Sequence, residues 1–309
     1  MPEIFAGSAA YADPSPGPIL TIGNFDGLHL GHRHLLGQLV QRAHAAGRPA
    51  AVYTFEPPPR VVLAPQQHQP RILPWTDKVR LLGELQIDQV IVERFTRSFA
   101  QHPPEWFASE VLQNRIQPSE LLLGYDFRFG RARQGGIDRL RSLLPKMPIH
   151  QADVLQLDSS VVSSSAIRAL ILEGKVREAA KWLGRTHSVK GTVVSGDKRG
   201  RTIGFPTANL ETDAELLPAH GVYAGWARTN GGDWHRAVAN LGKRPTFDGL
   251  RFLIEVHLLD FSDDLYGSEL EFAFVEHLRG EAVFAGADAL SRQIKSDIET
   301  ARSLLDARP

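Results

Sequence analysis

Two histidines three residues apart close the stretch TIGNFDGLHLGH, in which an apolar run reaches Gly23 and the turn Asn24-Phe25-Asp26-Gly27 leads to His29 and His32. Read as a strand ending at Gly23, a tight turn and a helix carrying His32, the segment sets both imidazoles on one helix face, because residues three apart are neighbours there. Glycines let backbone approach a ligand, and a helix N-terminus offers free N–H groups and partial positive charge suited to phosphate. Two imidazoles so placed could donate to a phosphate whose charge grows during an in-line displacement, an electrostatic role rather than a nucleophilic one. Asp26 could orient one of them or the ligand. Other readings compete. The chain holds 12 histidines, so such a pair can arise by chance. A zinc site would want a third ligand at suitable spacing, and no HExxH or comparable cluster is present. Neither a GxxxxGKS/T loop nor a GxGxxG fingerprint occurs, so nucleotide handling would need a different cradle.

Four further stretches could carry chemistry. Gly124-Tyr125-Asp126-Phe127-Arg128-Phe129-Gly130 closes a predicted strand. Strand ends are where a parallel sheet binds ligands and aromatics suit a flat ring, although a surface turn with buried phenylalanines fits as well. In VSSSAIR, Ser163 or Ser164 suits an N-cap, with Arg168 following in the apolar helix. Cap and phosphate site are compatible, since both use the helix N-terminus. GDKRGRTIGFPTANL gathers Gly196, Gly200 and Gly204 with Lys198, Arg199 and Arg201. That composition fits a loop over anionic phosphates and equally a solvated basic turn. Thr207 and Asn209 flank Ala208, so on an extended backbone their oxygens point the same way and could meet a hard cation carrying phosphates. Glu255 in LIEVHLLDF shares a strand face with Leu253 and His257, opposite Ile254 and Val256. A carboxylate among apolar neighbours can serve as a general base, or it can be a salt-bridged strand residue.

The elements that must position these residues change character along the chain. From Ile19 to about Leu183, the apolar runs ILTIGNF, AAVYTF, QVIVERF, ELLLGYDF and the stretch around VLQL alternate with amphipathic helical patterns. This predicts an α/β half with a parallel, Rossmann-like sheet, closed by the helices SSSAIRALILEG and KVREAAKWLG. After Gly184 the pattern becomes alternating strands broken by turns, SVKGTVVSG, GVYAGWART, HRAVANLG, RFLIEVHLLDF and ELEFAFVEHL, with a hairpin signal at Asn230-Gly231-Gly232. A small, mainly-β barrel is expected, and a last amphipathic helix from Ala287 to about Leu305, with Leu290, Ile294, Ile298 and Leu305 near one face, is expected to cap it. The expected domains are 1–184 and 185–309.

The chain of 309 residues is long enough for two cores, and Lys plus Arg equals Asp plus Glu at 35 each, so no global field draws it to nucleic acid or an anionic membrane. Without cysteine there is no disulfide, thiolate zinc site or thiol catalysis, which suits a reducing cytosol. No signal peptide or membrane span is read, so a cytoplasmic protein is expected. Oligomeric state is not legible.

At GNFDGLHLGH the sequence resembles the HxGH nucleotidyltransferase superfamily, and over nearly its whole length it resembles the bacterial bifunctional riboflavin kinase/FAD synthetase family. The resemblance is carried in order by GNFDGLHLGH, TFEPPPR, GYDFRFG, VSSSAIR, GDKRGRTIGFPTANL, and LIEVHLLDF with its following DLYG. It implies an N-terminal half that transfers AMP from ATP to FMN, with His29 and His32 on the phosphates and Gly23, Asn24, Phe25 and Asp26 lining their pocket. It further places Asp126 and Arg128 near flavin and nucleotide, and Ser163, Ser164 and Arg168 on the triphosphate. For the second half it implies phosphorylation of riboflavin by MgATP, with Glu255 as base, Thr207 and Asn209 on Mg2+, and Gly196, Lys198, Gly200, Arg201 and Gly204 in the phosphate loop. Pro58 departs from the family, where many relatives have a polar residue or His, and takes no ligand role. A monofunctional nucleotidyltransferase and a flavin-binding regulator are the rival readings; a class I aminoacyl-tRNA synthetase is disfavoured, because no KMSKS-like loop is present and the chain is neutral.

Overall fold

The computed structural model describes residues 1–11, 17–67, 69–157, 160–196, 204–246 and 249–305, with the backbone alone for 243–246 and 249–252. The chain divides into two compact units, Met1–Ser163 and Ser164–Pro309.

The first unit is a six-stranded, all-parallel sheet in the order β1-β4-β3-β2-β5-β6. Its strands are β1 (Glu3–Phe5), β2 (Ile19–Ile22), β3 (Ala50–Glu56), β4 (Gln89–Arg94), β5 (Glu120–Leu123) and β6 (Ile149–Gln151). The helices are α1 (Leu30–Ala46), α2 (Pro59–Leu63), α3 (Trp75–Glu84), α4 (Pro104–Trp106, continued as a π-helix over Phe107–Ile116) and α5 (Ile137–Leu143). Both sheet faces are covered. Leu20 and Ile22 of β2 join Phe107, Val111 and Leu140 in one core, whereas Ile19 joins Leu36 and Leu39 of α1 and Leu82 of α3 in the other. This two-sided burial is why β2 reads as an unbroken apolar run. The strand order reverses at β2, so its carboxyl end lies at the switch point where open α/β sheets bind ligands.

One strand expectation is corrected. The VLQL stretch is not in the sheet; Gln156–Leu157 (β7) pairs antiparallel with Ser160–Val161 (β8), and the sixth parallel strand is the more polar Ile149–Gln151. The short β1, which has no period to read, adds an edge strand beside β4.

The second unit begins with α6 (Ser164–Leu172) and α7 (Val176–Leu183). A closed barrel follows in the order β10-β13-β12-β11-β14-β9. Its strands are β9 (His187–Val194), β10 (Ala208–Glu211), β11 (Gly221–Thr229), β12 (His235–Thr246), β13 (Gly249–Leu258) and β14 (Glu269–Arg279). The compact division thus falls at Ser163 rather than after Gly184. The buried stripe of α7, Val176, Ala179 and Leu183, gives the reason, with Val176 packed in the barrel core beside Val189 and Phe272. The turn at Asn230 and Gly231 has positive φ at both residues, as the hairpin signal required. The terminal helix α8 (Ala287–Leu304) covers the barrel wall rather than an end. Ile298, Ala301 and Leu305 pack on Val222, Ala224, Trp226, Val238 and Ala273, the residues that point away from the barrel interior.

Candidate active sites

In the first unit the turn after β2 is built around ring packing. Gly23 donates its N–H to the Tyr53 carbonyl, and a Cβ there would stand 3.0 Å from the Phe25 ring. Phe25 and Leu28 hold positive φ, and buried Phe25 meets His32 edge to face at 5.3 Å. His29 is the N-cap of α1, its Nδ1 accepting from the His32 backbone N–H at 3.3 Å. The two imidazoles stack at 3.6 Å with 16° between planes. Gly31 makes this possible, since a Cβ there would lie 3.2 Å from His29 Nδ1. The expected pairing of the two rings at a helix N-terminus is therefore present.

Surrounding charges brace the turn. The Asp26 carboxylate accepts from the Ile72 N–H at 3.1 Å, and Lys78 Nζ donates to the Asn24 carbonyl at 2.9 Å. Arg71 pairs with Glu56 at 3.0 Å. Burial, then the positive charges of His29 and Lys78, hold the His32 imidazole well below its ordinary pKa. Its buried Nδ1 has no hydrogen-bond partner among the described residues. The result is a neutral ring with polar capacity to spare, at a helix N-terminus that favours anions. Lys78, Arg71 and Glu56 were missed from the sequence. Lys78 left one signal: it is a lysine in the apolar stripe of α3, beside Val79, Leu81 and Leu82.

After β5, Phe127 and Phe129 stack at 5.5 Å inside the core, while Asp126 and Arg128 are exposed. Only Tyr125 of these aromatics is open to a flat ring, so the turn with buried phenylalanines is what forms. Ser163 ends the first unit; Ser164 opens α6 in the second, where Arg168 is buried.

In the second unit, strand register aligns the polar candidates. Asn209 of β10 stands opposite Glu255 of β13, which stands opposite Asn240 of β12. Their neighbours Ala208, Leu210, Ile254, Val256, Ala239 and Leu241 fill the barrel core, so the polar three share its outer face by strand alternation. Asn240 Nδ2 lies 3.5 Å from Glu255 Oε2. Gly196 lies directly on Asn209, whose amide a Cβ at Gly196 would overlap. Pro206 is tied to β13 by its carbonyl, 2.7 Å from His257 Nδ1, which sets half-buried Thr207 immediately before β10. Gly204 has a φ of 87°. Lys198, Gly200 and Arg201 lie outside the described residues. Asn240 is a neighbour of Glu255 to which the sequence assigned no chemical role; its alternation with core Ala239 and Leu241 was the available signal.

Residues 13–166 match the FAD synthetase family model and residues 183–305 the riboflavin kinase model. The bifunctional riboflavin kinase/FMN adenylyltransferase of Haemophilus influenzae is 39% identical over 293 residues, covering 94% of this chain and 95% of that one. The chain belongs to the bifunctional riboflavin kinase/FMN adenylyltransferase family. The Escherichia coli K12 member is 38% identical over 295 residues, covering 94% of this chain and 93% of its own. A crystal structure described as a macrolide-efflux protein from Streptococcus pneumoniae matches with a TM-score of 0.88 at 30% identity, covering 97% of this chain and 98% of that one. No described helix of the present family member is long and apolar enough to cross a membrane. The synthetase match takes in the histidine turn, and the kinase match takes in the whole barrel.

Proposed function

We infer that the chain makes FMN from riboflavin in its barrel and FAD from FMN at the histidine turn, consuming ATP in both steps. Full-length similarity to members carrying both activities supports this most directly.

For the kinase step, Glu255 takes the proton of the ribityl 5′-hydroxyl as that oxygen bonds the γ-phosphorus of ATP and ADP leaves. The support is positional: Glu255 sits between Asn209 and Asn240 on the barrel's outer face, with Asn240 at its carboxylate. Phosphoryl transfer needs mostly positioning and charge neutralisation, so one carboxylate among amides suffices on the protein side. The Thr207 hydroxyl and Asn209 amide are hard, neutral oxygen donors, which fits Mg2+ carried in by ATP phosphates. Bound there, the ion neutralises phosphate charge. Gly196 and Gly204 flank the proposed phosphate loop, whose Lys198, Gly200 and Arg201 are assigned by resemblance.

For the adenylyl step, an FMN phosphate oxygen bonds the α-phosphorus of ATP and pyrophosphate leaves. His29, His32 and the N–H groups opening α1 stabilise the growing negative charge, with Gly23, Asn24, Phe25 and Asp26 shaping the turn. Asp126 and Arg128 are proposed to meet flavin or nucleotide from the exposed loop after β5. Ser163, Ser164 and Arg168 are assigned to the triphosphate by resemblance alone. The proposed location is the cytoplasm, which supplies the ATP.

The experiment is incubation of the purified protein with riboflavin and MgATP, followed by chromatography. FMN appearing first and FAD later is expected; neither flavin product would leave a binding-only protein.

A further inference from the structure

One charged side chain near the histidine turn has no part in the chemistry above. Lys78 is 4% exposed, on the inward stripe of α3, and its ammonium reaches the Asn24 main-chain oxygen at 2.9 Å. A buried lysine is costly unless it is satisfied. Here the compensation is directed at the turn: burial lowers the lysine pKa, and Asp26 of the same turn and Glu56 at the end of β3 offset this in part, while Nζ bonds the turn's backbone. Asp26 is itself fixed by the Ile72 N–H, three residues into the segment that leads from Pro70 to α3. The turn is therefore gripped from one side at two points, Asn24 by Lys78 and Asp26 by Ile72. Phe25, between them, carries the edge-to-face contact to His32.

We propose that Lys78 is a positioning residue for adenylyl transfer, holding the Asn24-Phe25-Asp26 turn in the shape that aligns the His29 and His32 rings. The proposal rests on the histidine turn being the adenylyl-transfer site. Lys78 acts through the turn and not on substrate, and it has an electrostatic side as well. Two imidazoles stacked at 3.6 Å in a half-buried turn cannot both carry charge without parting. The charges that bear on Lys78 itself are Asp26, Glu56 and Arg71. His32 is kept neutral first by burial, then by His29, and then by Lys78, whose charge opposes protonation of the ring. Removing that charge makes His32 easier to protonate, so the acid limb of the adenylylation profile moves to higher pH.

The test uses the full chain with FMN and MgATP supplied. Lys78→Met keeps the side chain's length and apolar stem but removes the donor and charge; Lys78→Arg keeps both. Lys78→Met is expected to lower kcat for FAD formation about tenfold or more, with KM for FMN within about twofold of wild type. Its acid limb should shift up by roughly half a pH unit or more, and Lys78→Arg should recover part of both. The His32 ring, followed by NMR, should titrate at higher pH in Lys78→Met than in wild type. If Lys78→Met does not keep the first unit folded, Lys78→Gln, which retains a donor without charge, is held to the same shift in acid limb and ring titration. Unchanged FAD formation, or a loss with neither the acid limb nor the His32 titration moved, overturns the proposal. A wild-type protein that makes no FAD from FMN would instead remove the assignment of the turn.

Discussion

Gly31 and Gly196 each leave room that a neighbouring polar side chain occupies, and each offers a probe that leaves the functional groups untouched. A methyl at Gly31 would press on His29 at 3.2 Å and force the stacked pair apart. Gly31→Ala is expected to cut adenylylation of added FMN about tenfold or more while riboflavin phosphorylation holds, as coupled assays on one preparation would reveal. A methyl at Gly196 would overlap the Asn209 amide, so Gly196→Ala should lower phosphorylation by a similar factor and spare adenylylation. Residue type and spacing singled out the histidine pair, Asn209 and Glu255 as candidates, because a turn, a helix start and strand alternation are local properties, whereas the roles proposed for them came from resemblance. What a side chain meets across the fold was not legible. Lys78 finds Asn24 only because α3 packs beside the turn, and Phe127 and Phe129, which suited a flat ring in sequence, are spent on the core.

Among the elements, β9 carries a pH-dependent contribution to stability. His187 is buried against Phe274, with Nε2 3.2 Å from the Leu216 carbonyl, and burial pushes its pKa down to about 4. The folded barrel therefore holds a neutral imidazole that the unfolded chain protonates near its ordinary value of 6.5. Stability is complete above that value and falls as pH drops through the window down to about 4, by about 3 kcal/mol in all. Urea unfolding of the second unit across this range should show the decline, and His187→Gln, which can still donate to Leu216, should flatten it. Helix α8 is held differently: Arg279 of β14 grips Asp297 through Nε at 3.1 Å and Nη2 at 2.9 Å. Asp297→Ala strands that guanidinium and should cost the second unit about 3 kcal/mol in chemical denaturation. The helix and most barrel strands were readable from their periods. β6 was not, since Ile149-His150-Gln151 is short and polar, whereas the more apolar VLQL is diverted into a two-strand pair.

At the scale of the whole molecule, each proposed reaction has its own element set: the turn between β2 and α1 for adenylyl transfer, and β10, β13 and β12 for phosphorylation. The change from period-3.6 to period-2 patterning after Gly184 announced two folds in one chain. The compact division nevertheless falls at Ser163, because the apolar stripe of α7 is buried with the barrel, and no local pattern says which sheet a helix will cover. Separate chemistry in separate element sets is the central claim, and crossed single substitutions test it most directly. Purified Glu255→Gln and His32→Ala are each assayed for FMN formation from riboflavin and for FAD formation from added FMN. Glu255→Gln should lose FMN formation by about a hundredfold or more and still adenylylate added FMN, while His32→Ala should accumulate FMN and make little FAD. Equal loss of both reactions in both variants, each still folded, would contradict the division of labour.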